Sequence, residues 1–120
     1  MSRPRIGLQP NHACNDRIRE LLSSESGFLT MKPDSTNTMI IVDEISDANA
    51  TWKDFVAHCK KHEQSCFFAM VAKAGKCVFV DWAPEDCPYA DDREYYLKSG
   101  EVLKTHISGE LQLDSMKYVL

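Results

Sequence analysis

The chain has 120 residues, a formal net charge of −4 and a pI near 5.5, so it is long enough for one cored domain and too acidic to hold nucleic acid by neutralising phosphates. No run of about 18 apolar residues is present to span a bilayer, and Met1–Arg5 lacks the apolar stretch of an export signal. The cysteines, Cys14, Cys59, Cys66, Cys77 and Cys87, are odd in number and form no Cys-x-x-Cys, which reads as free thiols in a reducing cytosol.

Residues 1–10 are expected to be a flexible arm, because Pro4 and Pro10 oppose regular structure. Asn11 is a good N-cap, and a helix is predicted to about Leu22, burying Ala13, Cys14, Ile18 and Leu21 or Leu22. Phe28–Met31 reads as a strand, Pro33–Asn37 as a turn of residues that bond their own backbone, and Thr38–Ile45 as the returning strand. Thr51 can cap a short helix with Trp52, Phe55, Val56 and Cys59 on its inner side. Cys66–Ala72 and the strand opening at Cys77 are apolar runs joined by the tight turn Lys73–Lys76. Near-continuous apolar strands suit a sheet covered on both faces. The element order predicts an α/β (α+β sandwich) single domain over residues 1–120, with a central mixed sheet of five to six strands and helices on both sides.

Pro84 and Pro88 break the chain after Trp82, and a long helix follows from about Ala90 to Ile107. Tyr95, Tyr96, Ser99, Val102, Leu103 and Ile107 have the spacing of an inner face. Arg93, Glu94, Leu97, Lys98, Glu101 and Lys104 take the outer one. Asp91 and Asp92 suit the dipole of the first turn, and Lys104 and His106 suit that of the last. Gly100 either permits close packing on the sheet or kinks the helix. Gly109 is expected to end the helix, Glu110–Leu113 to form a short edge strand, and Asp114–Leu120 at most two turns of helix.

Residues capable of metal, thiol and phosphate chemistry are scattered along this frame. His58, Cys59, His62 and Cys66 fall close together, but the cysteines belong to apolar positions and the histidines to a polar helix end, so the set points two ways and no metal is expected. Cys87 stands beside Glu85 and Asp86, whose charge would raise a thiol pKa, and no triad is legible. The glycines are isolated and build no phosphate cradle. What remains is the outer face of the long helix, where Leu97 sits among charges.

Val78-Phe79-Val80-Asp81-Trp82, Ala83-Pro84-Glu85, Cys87-Pro88, Arg93-Glu94, Tyr96-Leu97-Lys98-Ser99 and Leu103 resemble, in order, the strand, turn and long helix of the actin-depolymerising factor/cofilin family. Ala50-Thr51-Trp52-Lys53-Asp54-Phe55 resembles that family's Pro-Thr-Trp-x-Asp-Phe. The resemblance implies the ADF-homology fold and a cytoplasmic, cytoskeleton-associated, monomeric actin-binding protein that is not an enzyme and needs no cofactor. It implies actin monomers as the main partner, weak filament binding or severing, and phosphoinositides as a further ligand class. The actin-contacting residues it implies are Ile6, Gly7 and Leu8 on the arm and Arg93, Glu94, Leu97, Glu101 and Lys104 on the helix. Two positions depart from the pattern: Asp91 stands where the first basic contact falls, and Glu94 replaces a Met. The family's regulatory serine is Ile6 here, and the hairpin turn and the tail that reach filaments are short. These departures support an alternative role on the same fold, acting on the actin-related branch-nucleating complex as glia maturation factor does, or binding filaments as coactosin does.

Overall fold

The computed structural model describes the backbone of residues 7–62, 65–73, 76–83, 90–111 and 116–119, and the side chains of 7–62, 65–72, 77–83 and 94–107. Asn11 starts helix α1 (His12–Leu22): its Oδ1 accepts from the Cys14 N–H at 2.8 Å, satisfying an orphan donor of the first turn. Cys14, Ile18 and Leu21 form the buried stripe. Ala13, expected inside, is exposed, because one residue's step of about 100° carries it off that stripe. The end of the arm is tied down rather than loose. The Ile40 N–H donates to the Gln9 carbonyl and the Asn11 N–H to the Ile40 carbonyl, both at 2.9 Å, and Pro10 forms a parallel bridge to Ile40.

Strands β1 (Phe28–Pro33) and β2 (Ile40–Ile45) form the expected antiparallel hairpin. Asp34 organises its turn, accepting from the Thr38 N–H at 2.9 Å and the Thr36 hydroxyl at 3.0 Å. These bonds, the Thr38 N–H foremost, hold its carboxyl below the usual 3.8. Asn37 takes the left-handed φ of 55°, which asparagine tolerates. The register slips once: Thr30 faces Glu44 but Met31 faces Val42, so Asp43 is the extra residue of a bulge. Without it, Glu44 would share the face of Ile40 and Val42; with it, Glu44 shares the face of Thr30.

Helix α2 (Trp52–Lys61) opens with a capping box, in which the Thr51 hydroxyl accepts from the Asp54 N–H and the Asp54 carboxylate accepts from the Thr51 N–H. Strands β3 (Phe67–Lys73) and β4 (Lys76–Trp82) pair antiparallel down to Lys73 and Lys76, so the turn between them is short, as expected. Helix α3 (Ala90–Leu111) then carries the chain back to β5 (Met116–Val119), which pairs parallel with β4.

Two expectations about this last part fail. Gly109 does not end the helix, since α3 runs through it to Leu111, and Glu110 and Leu111 are helical rather than extended. A glycine costs a helix only about 0.5–1 kcal/mol relative to alanine, which a packed helix tolerates. The tail holds a strand, not helical turns, because β4 offers Met116–Val119 an open edge.

The sheet order is β2-β1-β3-β4-β5, five strands among the described residues. Alternation splits its side chains between two cores. Leu29, Met31, Phe68, Met70 and Phe79 pack with Cys14, Ile18 and Leu21 of α1 and with Tyr96, Leu103 and Ile107 of α3. Phe28, Phe67, Val71, Val78 and Val80 pack with Phe55 and Cys59 of α2. The sheet therefore separates α2 from α1 and α3, and the long helix has one face left over.

Candidate functional site: the outer face of the long helix

The inward seam of α3 consists of Tyr96, Ser99, Gly100, Leu103 and Ile107, all buried. The Tyr96 ring lies 5.1 Å from that of Phe68. At Gly100 the helix backbone meets the fully buried Asp81 of β4. A Cβ on Gly100 would lie 2.7 Å from the Asp81 Cγ and closer still to its carboxylate oxygen. Close approach, not a kink, is the use of this glycine, since α3 continues unbroken past it.

That seam rotates the helix away from the expected orientation. Tyr95 and Val102, expected inside, are each 40% exposed. Leu97, expected outside, is half-buried and packs against the larger core. The reason is geometric: a face centred on Ser99 and Gly100, where α3 touches β4, leaves positions 95 and 102 on one flank, about 90–110° round the helix and two turns apart.

The outward face accordingly presents Glu94, Tyr95, Lys98, Glu101 and Val102. Lys98 Nζ lies 3.3 Å from Glu94 Oε1, with both side chains well exposed; such a pair stabilises a helix by only about 0.3–0.5 kcal/mol, so a partner's charge can displace it. Acidic Glu94 and Glu101 flank Lys98, and two partly exposed apolar groups lie alongside. An apolar surface interleaved with charge is what a protein interface uses. Of the residues expected here, Glu94 and Glu101 are exposed and Lys104 is half-buried. The Arg93 side chain and Ile6 lie outside the described residues. Gly7 is exposed in a turn with φ 94°, and Leu8 is half-buried against the core. A depression of about 520 Å³, lined by Gly7, Leu8, Met39 and His106 among others, brings the arm to the C-terminal half of α3.

Two exposed residues, Tyr95 and Val102, extend the outer face that the spacing predicts around Lys98. The signal in the sequence is the seven-residue step from Tyr95 to Val102 past Lys98, which the apolar character of both residues masks.

The other chemically capable groups do not converge here. Burial pushes the Cys14 thiol up to about 12 and those of Cys59 and Cys77 to about 11, so these three are protonated and unreactive. Cys59 belongs to the core under α2 and Cys66 to the core on the opposite face, so the sheet divides the His58, Cys59, His62 and Cys66 set. Burial first, and then His62, lower the pKa of His58 below its ordinary 6.5. The Glu44 carboxylate, 3.5 Å from its Nε2, pushes the other way without prevailing. Cys87 and its acidic neighbours lie outside the described residues. Among the described residues, no helix is long and apolar enough to cross a membrane.

Residues 7–117 match the family model described as cofilin/tropomyosin-type actin-binding protein. Actophorin of Acanthamoeba castellanii is 22% identical over 118 residues, covering 91% of this chain and 84% of its own. Among solved structures, a cofilin from Streptomyces griseoflavus superposes with a TM-score of 0.68 at 24% identity, covering 94% of this chain and 86% of its own. ADF from Toxoplasma gondii gives a TM-score of 0.61 at 21% identity, with 93% and 87% covered. Glia maturation factor from Caenorhabditis elegans gives 0.66 at 10% identity, with 99% and 88% covered. At these identities the structural likenesses speak to the fold.

Proposed function

Since the chain belongs to the cofilin/tropomyosin-type actin-binding protein family, we propose that it binds actin monomers in preference to filaments, through the outer face of α3 and the segment Ile6–Leu8. The observation that carries this reading is the mixed apolar and charged stripe of Tyr95, Lys98, Glu101 and Val102, left outward by a helix whose opposite seam is packed on the sheet. Arg93 and Lys104 supply the basic contacts to an acidic partner, and Leu97 contributes its half-exposed edge. The short β3–β4 turn supports weak filament contact, so the protein promotes turnover by transient binding or severing rather than by stable decoration. It acts without catalysis: its work is unequal affinity for actin states, and any nucleotide preference follows by linkage. Phosphoinositide headgroups compete for the same basic groups. We place it in the cytoplasm, with the cytoskeleton, as a monomer.

Co-sedimentation with filaments and nucleotide exchange on monomeric actin test this. The wild type should slow exchange. The double change Arg93→Ala, Lys104→Ala should weaken monomer binding by about tenfold or more, the loss of roughly 1–3 kcal/mol typical of a contact that matters. Because Lys104 is half-buried, Lys98→Ala at an exposed position serves as the second variant and should weaken binding while costing stability no more than the roughly 0.5 kcal/mol of its pair with Glu94. Unchanged exchange and pelleting in the wild type would remove the proposal.

A second reading rests on the exposed acids Glu94 and Glu101 flanking Lys98. They suit a basic surface better than an acidic one, and favour a role on the actin-related branch-nucleating complex. Pull-down of that complex without actin would select it.

A further inference from the structure

We propose that Glu44, His58 and His62 form a binding site for a divalent transition ion, taken here as Zn²⁺, on the α2 side of the sheet. One potential ligand atom from each lies within 4.8 Å of the others. His58 on α2 and His62, the residue that caps its C-terminus, stand four residues apart, with ring centroids 4.6 Å apart. Glu44 comes from a different element and reaches them only because of the bulge at Asp43, which turns it to the Thr30 face. The Thr30 hydroxyl fixes that turn by accepting from the Glu44 N–H at 3.1 Å.

The distances suit coordination. His58 Nε2 lies 3.5 Å from Glu44 Oε2. That is longer than the roughly 2.7–2.9 Å of a charge-assisted hydrogen bond. It is close to the separation of about 3.3 Å between two donors bound tetrahedrally to zinc at about 2.0–2.1 Å. Two imidazoles and a carboxylate are ligand types that zinc accepts, with the fourth position left to water.

Both rings are also held from behind. The His58 ring packs at 5.4 Å from Phe28 and 5.7 Å from Phe67. The His62 ring packs at 6.2 Å from Phe67, and its carbonyl accepts from Trp82 Nε1 at 3.0 Å. Glu44 is exposed and can swing the remaining distance. A depression of about 600 Å³ lined by Glu44, His58, His62 and Ser65 gives an ion access. The spacing of His58, Cys59, His62 and Cys66 suggests a different set, from which the buried cysteines drop out and Glu44, distant in sequence, takes their place. A bound ion would join β2 to α2 and stabilise the fold by mass action.

Calorimetric titration of the full chain with ZnCl₂, followed by histidine ring NMR, tests the site. One ion should bind; the ring signals of His58 and His62 should move while those of His12 and His106 stay. Zinc should raise Tm, and EDTA should reverse the rise. Glu44→Gln, at an exposed position, should keep the metal-free Tm and weaken zinc at least about tenfold, the scale on which changes around a metal act; His62→Gln should do the same. Absence of saturable binding, a Glu44→Gln titration superimposable on the wild type, or equal movement of His12 and His106 would each overturn the proposal.

Discussion

Replacing Gly100 by alanine sets two effects against each other. In a bare helix the change is favourable by about 0.5–1 kcal/mol, since glycine loses the most backbone freedom on ordering. Here the new methyl would enter space held by the Asp81 carboxylate, with the Asp81 Cγ 2.7 Å and Cβ 3.3 Å away. Asp81 is fully buried on β4, so its side chain has little room to retreat. Overpacking of this kind costs about 1–3 kcal/mol. The net expectation is a loss of roughly 1 kcal/mol, taking the difference of those ranges at their centres. At about 4 °C per kcal/mol for a chain of this size, Tm should fall by roughly 4–5 °C. Thermal unfolding followed by circular dichroism reads this directly. The companion measurement is Gly100→Ala in an Asp81→Ala background, where the carboxylate is gone and the penalty should shrink or reverse; that coupling separates collision from propensity. A Tm that stays level or rises in the single variant, or an equal fall in both backgrounds, would show that α3 does not press on β4 at this point.

Two smaller changes probe other parts of the frame. Thr51→Ala removes one half of the α2 capping box and should cost about 1 kcal/mol in urea unfolding; no shift in the midpoint would mean that α2 does not depend on its cap. His58 faces Glu44 and Asp43 from β2, Lys61 from its own helix and His62 from that helix's C-cap, and burial lowers its pKa from 6.5. The unfolded chain therefore binds the proton more tightly, so this group's contribution is complete above pH 6.5 and is lost as pH falls from there through the folded pKa. Its ring-proton titration should have a midpoint below 6.5, and a midpoint at or above that value would mean that the Glu44 carboxylate outweighs burial.

Local chemistry made much of this architecture readable. Asn11 and Thr51 announce their helices because a cap acts over three residues. The Asp34 turn and the β3–β4 hairpin are equally local. The spacing of Tyr96, Ser99, Leu103 and Ile107 marks an inner face, and all four are buried. What escaped depends on distant partners. Tyr95 and Tyr96 have similar character, and contacts with the sheet, Tyr96 on Phe68 and Gly100 on Asp81, go with Tyr96 as the one that faces the core. Leu97, next to Tyr96, packs against the same core and not on the outer face its charged neighbours suggest. Glu110–Leu113 alternates like a strand, yet its first two residues remain helical, while Met116–Val119 becomes a strand only because β4 lies beside it. The bulge at Asp43 leaves no mark in the sequence, since two chains must be aligned to see it.

The parallel pairing of Met116–Val119 with Cys77–Val80 has a bearing on handling the protein. It shields the amides and carbonyls along one side of β4, a row that would otherwise be open to a second molecule. A truncation before Met116, or a bulky fusion that pulls this segment away, would uncover a sticky ribbon of valine and phenylalanine and invite fibre-like stacking on storage.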